Sequence, residues 1–191
     1  MSLWNAALAS VLKHEGGYVH DPNDAGGETN HGISKRAYPH LDIKRLTVEE
    51  AAAIYERDYW RHVPENLPDD ARWLAFDTAV HSGVNRMRAL VNEDDTLLGL
   101  AAARLKFLAN LSAWEHFGRG WTRRVAGVLS DIREWQLAEN PAEETRVAST
   151  VVLHGFPLAL RWAVLSSSPA VLRGEFVWRS RGAKLDVRAM R

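Results

Sequence analysis

Leu3-Trp4-Asn5-Ala6-Ala7-Leu8-Ala9-Ser10-Val11-Leu12-Lys13-His14-Glu15-Gly16-Gly17 is the stretch whose reading decides the fold. Trp4, Leu8, Val11 and Leu12 recur at helical spacing, so the segment predicts an amphipathic helix, and the next position on its apolar stripe is Glu15. Gly16 and Gly17 predict its end. A carboxylate on the apolar stripe, at the helix end where the dipole disfavours negative charge, is an unfavourable choice unless the site uses it.

Outward from this helix the sequence stays mainly helical. From Tyr18 to Ser34, Asp-Pro, Asn-Asp and Gly-Gly occur without helical period, predicting a long ordered loop or a short hairpin. Thr47-Val48-Glu49-Glu50 has the pattern of a capping box, and a helix is expected from it to about Trp60. Pro68-Asp69-Asp70 offers a further helix start, followed by Trp73, Phe76 and Val80 and a stop at Gly83. A long helix is expected from near Leu97 to Phe117, stopping at Gly118, and a last one carries Trp121, Val125, Val128, Leu129, Ile132 and Trp135 before Pro141. Beyond Arg146, the runs Thr150 to Leu153, Leu160 to Leu165, Val171 to Trp178 and Lys184 to Arg188 predict three or four strands, with Arg181-Gly182 as the turn joining the last two.

Composition sets the outer bounds. The 191 residues suffice for one well-packed domain and a small appendage. Without cysteine there is no disulfide, thiolate zinc site or cysteine nucleophile. No segment reaches the ~20 apolar residues of a membrane span, and the N-terminus lacks the pattern of a signal peptide, so synthesis in the cytoplasm is expected, with any export needing help. The net charge is +0, but Met1 to Glu144 carries 16 Lys+Arg against 22 Asp+Glu, and Thr145 to Arg191 carries 8 against 2. An acidic body with a basic end follows.

A carboxyl in the position of Glu15 suits glycoside hydrolysis. A glycosidic oxygen is a poor leaving group, and a proton donor held beside it contributes roughly 10² to 10⁴-fold. Glu15, expected to be partly desolvated and followed by two residues without side chains, is placed for that task; position alone is equally compatible with an ordinary helix-end carboxylate turned to solvent. His14-Glu15 fails as a zinc-protease motif because Tyr18 stands where the second His belongs. Asp21-x-Asn23 fails as a calcium loop because Ala25 and Gly32 occupy ligand positions. No metal and no cofactor are expected. The basic residues Arg173, Arg179, Arg181, Lys184 and Arg188 are better explained by a solvated strand face than by nucleic acid, and attraction to anionic cell-surface polymers is the expected alternative.

His14-Glu15-Gly16-Gly17-Tyr18-Val19, Asp21-Pro22-Asn23-Asp24 and Gly26-Gly27-Glu28-Thr29-Asn30-His31-Gly32-Ile33-Ser34 together closely resemble the opening signature of glycoside hydrolase family 108, phage endolysins and related bacterial muramidases. The resemblance continues through Leu46-Thr47-x-x-Glu50-Ala51, Ile54-Tyr55-x-x-Asp58-Tyr59-Trp60 and Phe76-Asp77-x-Ala79-Val80-x-Ser82-Gly83. Phe117-Gly118-Arg119-Gly120-Trp121-x-x-Arg124-Val125 is similar to the motif of the helical peptidoglycan-binding region that follows the catalytic part in that family.

The resemblance implies a lysozyme-like helical fold, with a catalytic region over 1–93, a helical peptidoglycan-binding-like region over 94–140 packed on it, and a basic strand-rich appendage over 145–191. It implies a muramidase that cuts β-1,4 bonds between N-acetylmuramic acid and N-acetylglucosamine in peptidoglycan strands, with Glu15 as general acid. Asp24 and Thr29 fall where lysozyme-like folds keep the partners of that acid, although Asp-Pro-Asn-Asp-x-Gly-Gly is also what a structural turn looks like. Tyr18, Asn30 and Trp60 are candidates to line the saccharide groove, each with packing as the plainer alternative, and Asp77 on the apolar stripe reads as a buried hydrogen-bonding residue. The alternative function is a non-catalytic peptidoglycan-binding or secretion-assisting protein on the same fold. The sequence departs from the family at Val80-His81-Ser82-Gly83, where Asn usually stands for His81, and in the short segment between Arg86 and Leu97. The basic end has no counterpart in the resemblance.

Overall fold

Six helices make the body of the first compact unit, Met1–Glu139, and a second unit covers Asn140–Arg191. The structure, a computed structural model, describes residues 1–20, 27–140, 174–177 and 186–189. The expected strands at 150–153 and 160–165 and the turn at Arg181-Gly182 lie outside the described residues.

Helix α1 (Leu3–Glu15) starts at Ser2, whose hydroxyl accepts from Asn5 N, and stops at Gly16, which turns to φ 77° and donates its N–H to Leu12 O. That left-handed turn is costly for any residue with a Cβ, which is why the helix ends there. A two-residue hairpin follows: β1 (Thr29–Asn30) pairs antiparallel with β2 (Ile33–Ser34) through His31 and Gly32, both at positive φ. Two positive-φ residues match the right-handed twist of the strands. Helix α2 (Val48–Asp58) opens on the complete capping box, Thr47 Oγ1 accepting from Glu50 N and Glu50 Oε2 accepting from Thr47 N.

Helix α3 (Asp69–Ser82) is the central element. Trp73, Leu74, Ala75, Phe76, Thr78 and Ala79 are all buried, so it is covered on every side. It packs on α1, on α4 (Val84–Glu93), on α5 (Leu97–Ala109) and on α6 (Trp114–Glu139). Each large apolar side chain hidden in this way contributes roughly 1.5–3 kcal/mol relative to exposure. Among the described residues no helix is long and apolar enough to cross a membrane.

Two helix expectations need correction. The helix from Leu97 ends at Ala109 rather than Phe117, because Asn110 caps it: its side-chain amide donates to Lys106 O and its backbone N–H to Phe107 O. The next helix begins at Trp114, and Gly118 lies inside it instead of stopping a helix. The glycine is there for space, since a Cβ at Gly118 would stand 2.5 Å from Trp114 Cδ2. The chain is therefore mainly α with a lysozyme-like helical body. In the second unit, β3 (Gly174–Val177) pairs antiparallel with β4 (Asp186–Ala189), with Gly174 opposite Ala189 and Val177 opposite Asp186.

Candidate active site

The end of α1 meets three other elements at Glu15. Its stem packs on the hairpin turn, where a Cβ at Gly32 would lie 2.8 Å from both Glu15 Cβ and Cγ and 2.5 Å from the Tyr55 hydroxyl. Only glycine fits there, both for that approach and for a φ of 77°. Tyr55, from α2, donates its hydroxyl to His31 O at 2.8 Å and so pins the turn. Burial first, then the Glu15 charge, raises the Tyr55 pKa.

The third element is α6. Arg124 Nη1 donates to Glu15 Oε1 at 2.6 Å, and the two side chains are only 12% and 21% exposed. The rest of the guanidinium is held by Asp77 of α3, with Nε 3.0 Å and Nη2 2.8 Å from Oδ1. Asp77 is completely buried, and Arg104 of α5, also completely buried, brings Nη2 to 2.7 Å from Asp77 Oδ2. That last contact is a buried charge pair, and the Nε and Nη1 of Arg104 have no hydrogen-bond partner among the described residues. Two guanidiniums and two carboxylates thus alternate in a half-closed row.

Electrostatics follow from this order. Burial acts against the Asp77 charge, but Arg104 and Arg124 outweigh it and hold the carboxyl below its usual range. Burial likewise opposes the Arg124 charge, and Asp77 and Glu15 more than offset it, so its pKa is raised. At Arg104 burial prevails over Asp77 and lowers the pKa. His81, one turn beyond Asp77, is depressed to about 4 by burial first and then by the charges of Arg104 and Arg124.

The other expected site residues fare differently. Asp24 lies outside the described residues. Thr29 is half-buried in β1, where its backbone bonds Val19 both ways at 2.8 Å, on the same hairpin whose turn touches Glu15. Asn30 is 6% exposed and donates Nδ2 to Ile43 O and Leu46 O, so its amide nitrogen ties the hairpin to the body. Trp60 is half-buried against Trp4 and Phe76, ring centroids 5.3 and 5.4 Å away, with Arg72 over its ring at 4.9 Å. Tyr18 is 41% exposed and donates to Glu28 Oε2 at 3.1 Å. Asn30 and Trp60 thus have partners in the body, and Tyr18 has the more exposed ring of the two aromatics. Asp77 is the buried hydrogen-bonding residue that its place on the stripe predicts.

Sequence reasoning missed the part played by Arg124 and Arg104. Arg124 was visible as the last charged position of the Phe117 to Val125 motif, and the unfavourable charge of Glu15 at a helix end called for a cation; no local pattern connects positions 109 residues apart.

Comparison with known proteins agrees with this architecture. The model of the family described as Glycosyl hydrolase 108 matches residues 8–83, a span that holds Glu15, the hairpin, Tyr55 and Asp77. The solved structure of Brucella abortus SagA is similar at 31% identity and a TM-score of 0.57, over 69% of this chain and 94% of that one. The comparison with curated proteins finds no match. With identity at that level across nearly the whole of the related chain, and the family signature on the residues that surround Glu15, this chain belongs to the glycosyl hydrolase 108 family.

Proposed function

We propose that this glycoside hydrolase cleaves the β-1,4 bond between N-acetylmuramic acid and N-acetylglucosamine in peptidoglycan, with Glu15 as general acid. The observation that carries the reading is the Glu15 carboxyl itself: half-sheltered at a helix end, fixed at its stem by Gly32 and at Oε1 by Arg124. Among the described residues no hydrogen bond engages Oε2, which makes it the oxygen to meet the bridging sugar oxygen.

In the proposed reaction the proton on Glu15 passes to the glycosidic oxygen as the bond from that oxygen to the anomeric carbon breaks. The aglycone leaves as an alcohol, and the anomeric carbon takes on oxocarbenium character. Water adds to that carbon and gives up a proton, and one proton taken up by Glu15 returns the acid to its starting form. Asp24 and Thr29 orient the water or stabilise the positive charge, and Tyr18 lends a ring face to an N-acetyl sugar. The acid and its hairpin belong to 1–93, and 94–140 completes the site by supplying Arg104 and Arg124. The charge excess of 145–191, 8 basic against 2 acidic residues, adds attraction to anionic wall polymers.

A zymogram on purified cell walls tests the reading. Clearing by the wild type and none by Glu15→Gln is expected. No clearing by the wild type would favour a wall-binding protein without turnover, and clearing that survives the substitution would remove Glu15 from the role of acid.

A further inference from the structure

We infer that Arg124 is a positioning residue for the proposed acid, a preset cation that fixes the Glu15 carboxyl and receives the negative charge left there when the proton departs. The inference rests on the proposed role of Glu15 and extends the site to helices outside its own neighbourhood in sequence.

The geometry leaves Arg124 little freedom. A guanidinium is a planar fork, and here Nε and Nη2 are both engaged by Asp77, so the direction of Nη1 is set by Asp77 and not by Glu15. Asp77 is in turn fixed by its position on α3, where it is wholly buried against Arg104 of α5. Three helices thus hold one N–H group 2.6 Å from the acid at the end of a fourth. On the other side the Gly32 turn closes on the Glu15 stem, so the carboxyl is gripped at both ends.

The arrangement is a poor choice for stability alone. Two arginines and an aspartate withdrawn from water carry desolvation costs that their mutual attraction repays only partly, and apolar side chains of equal volume commonly do as well or better. Clusters of this kind concentrate at sites where charge is used. The use follows from the reaction. The ion pair of the structure corresponds to the state after proton transfer, with Glu15 a carboxylate; when the proton is on Oε2, Nη1 still donates to Oε1, and the bond strengthens as charge develops. Because the cation is in place beforehand, no reorganisation is needed when the charge appears. An interaction stronger in the transition state than in the ground state raises turnover more than it raises affinity.

The test compares wild type, Arg124→Ala and Glu15→Gln as full chains on soluble, uncrosslinked peptidoglycan glycan strands over a range of concentrations. For Arg124→Ala the expected result is a kcat lower by about 10²-fold, within the roughly 10² to 10⁴-fold that a positioned acid supplies, with KM nearly unchanged. Millimolar guanidinium chloride should recover about tenfold or more of the lost kcat and leave the wild type unaffected, a rescue that a purely structural role would not show. If Arg124→Ala fails to fold by circular dichroism, Arg124→Gln, which keeps hydrogen-bond donors without the charge, carries the kcat and KM comparison, and Arg124→Lys, which keeps the cation, should recover most of what Gln loses. Wild-type kcat in the variant, a loss confined to KM, or a loss that guanidinium leaves untouched would overturn the inference. An inactive wild type or an active Glu15→Gln would instead defeat the reading of Glu15.

Discussion

Helix α1 is fastened to α6 at two places, about two turns apart along α6. At the first, Ser10 donates to Asp131 Oδ2 at 2.6 Å and Lys13 Nζ lies 3.3 Å from Oδ1, with the lysine side chain 67% exposed. At the second, Arg124 meets Glu15 at 2.6 Å with both side chains largely hidden and a fully buried Asp77–Arg104 pair behind them. In the first the lysine stays in water, and ion pairs of that kind contribute about 0–1 kcal/mol, while Ser10 is buried and the Asp131 side chain is 19% exposed. The second draws charge into the interior and needs every member present. Similar distances therefore have different meanings: the exposed Lys13 contact can be lost with little effect, whereas the buried row behind Glu15 is sensitive to the removal of any partner.

The comparison can be broken at several points. Asp77→Ala should have the largest effect, since it leaves Arg104 and Arg124 facing each other without the carboxylate between them; a loss of about 3–5 kcal/mol in urea unfolding is expected. A loss below about 1 kcal/mol would mean that water already neutralises the row. Gly32→Ala comes next. Its Cβ would press on Tyr55 and on the Glu15 stem at a backbone angle suited to glycine, so about 1–3 kcal/mol of stability should go together with most of the wall-clearing activity.

His81 sharpens the comparison through pH. Its neighbours in charge are Asp77, Arg104 and Arg124, and its pKa is depressed from the ordinary 6.5 to about 4. The folded protein thus disfavours the protonated ring. The stabilisation from keeping it neutral is whole above pH 6.5 and is lost as pH falls through that range to about 4, because the unfolded chain takes up the proton first. His81→Asn should flatten the decline of melting temperature across that interval, and an unaltered slope would show that neither burial nor the neighbouring cations keep the ring neutral. The smallest effect belongs to the exposed fastening: Lys13→Ala should change stability by less than about 1 kcal/mol, and less still in high salt.

Much of this fold was legible because the signals are local. The stop of α1 at Gly16, the Thr47/Glu50 capping box and the stop of α3 at Gly83 each depend on residues within one turn. Helix α4 was overlooked although Met87, Leu90 and Val91 form its buried stripe, since ten residues give fewer than three turns of pattern between Gly83 and Asp94. The break after Ala109 was hidden because neither Pro nor Gly marks it and Leu111 continues the apolar run; the side chain of Asn110 ends the helix. Gly118 misled for the opposite reason, as a glycine that serves a Trp114 ring and not a stop. At the site, Glu15 was readable from its stripe and its two glycines, and so was the burial of Asp77. The partnership with Arg124 depends on how α6 lies across α1 and α3, a tertiary relation that no window of sequence contains.

The central claim is that Glu15 delivers the proton that opens a muramyl bond. The most direct measurement is the identity of the new reducing end after digestion of purified peptidoglycan, by borohydride reduction and mass spectrometry of the released fragments. N-acetylmuramitol ends from the wild type and none above background from Glu15→Gln are predicted. Reduced N-acetylglucosamine ends, or muramitol released equally by the substituted protein, would contradict the account.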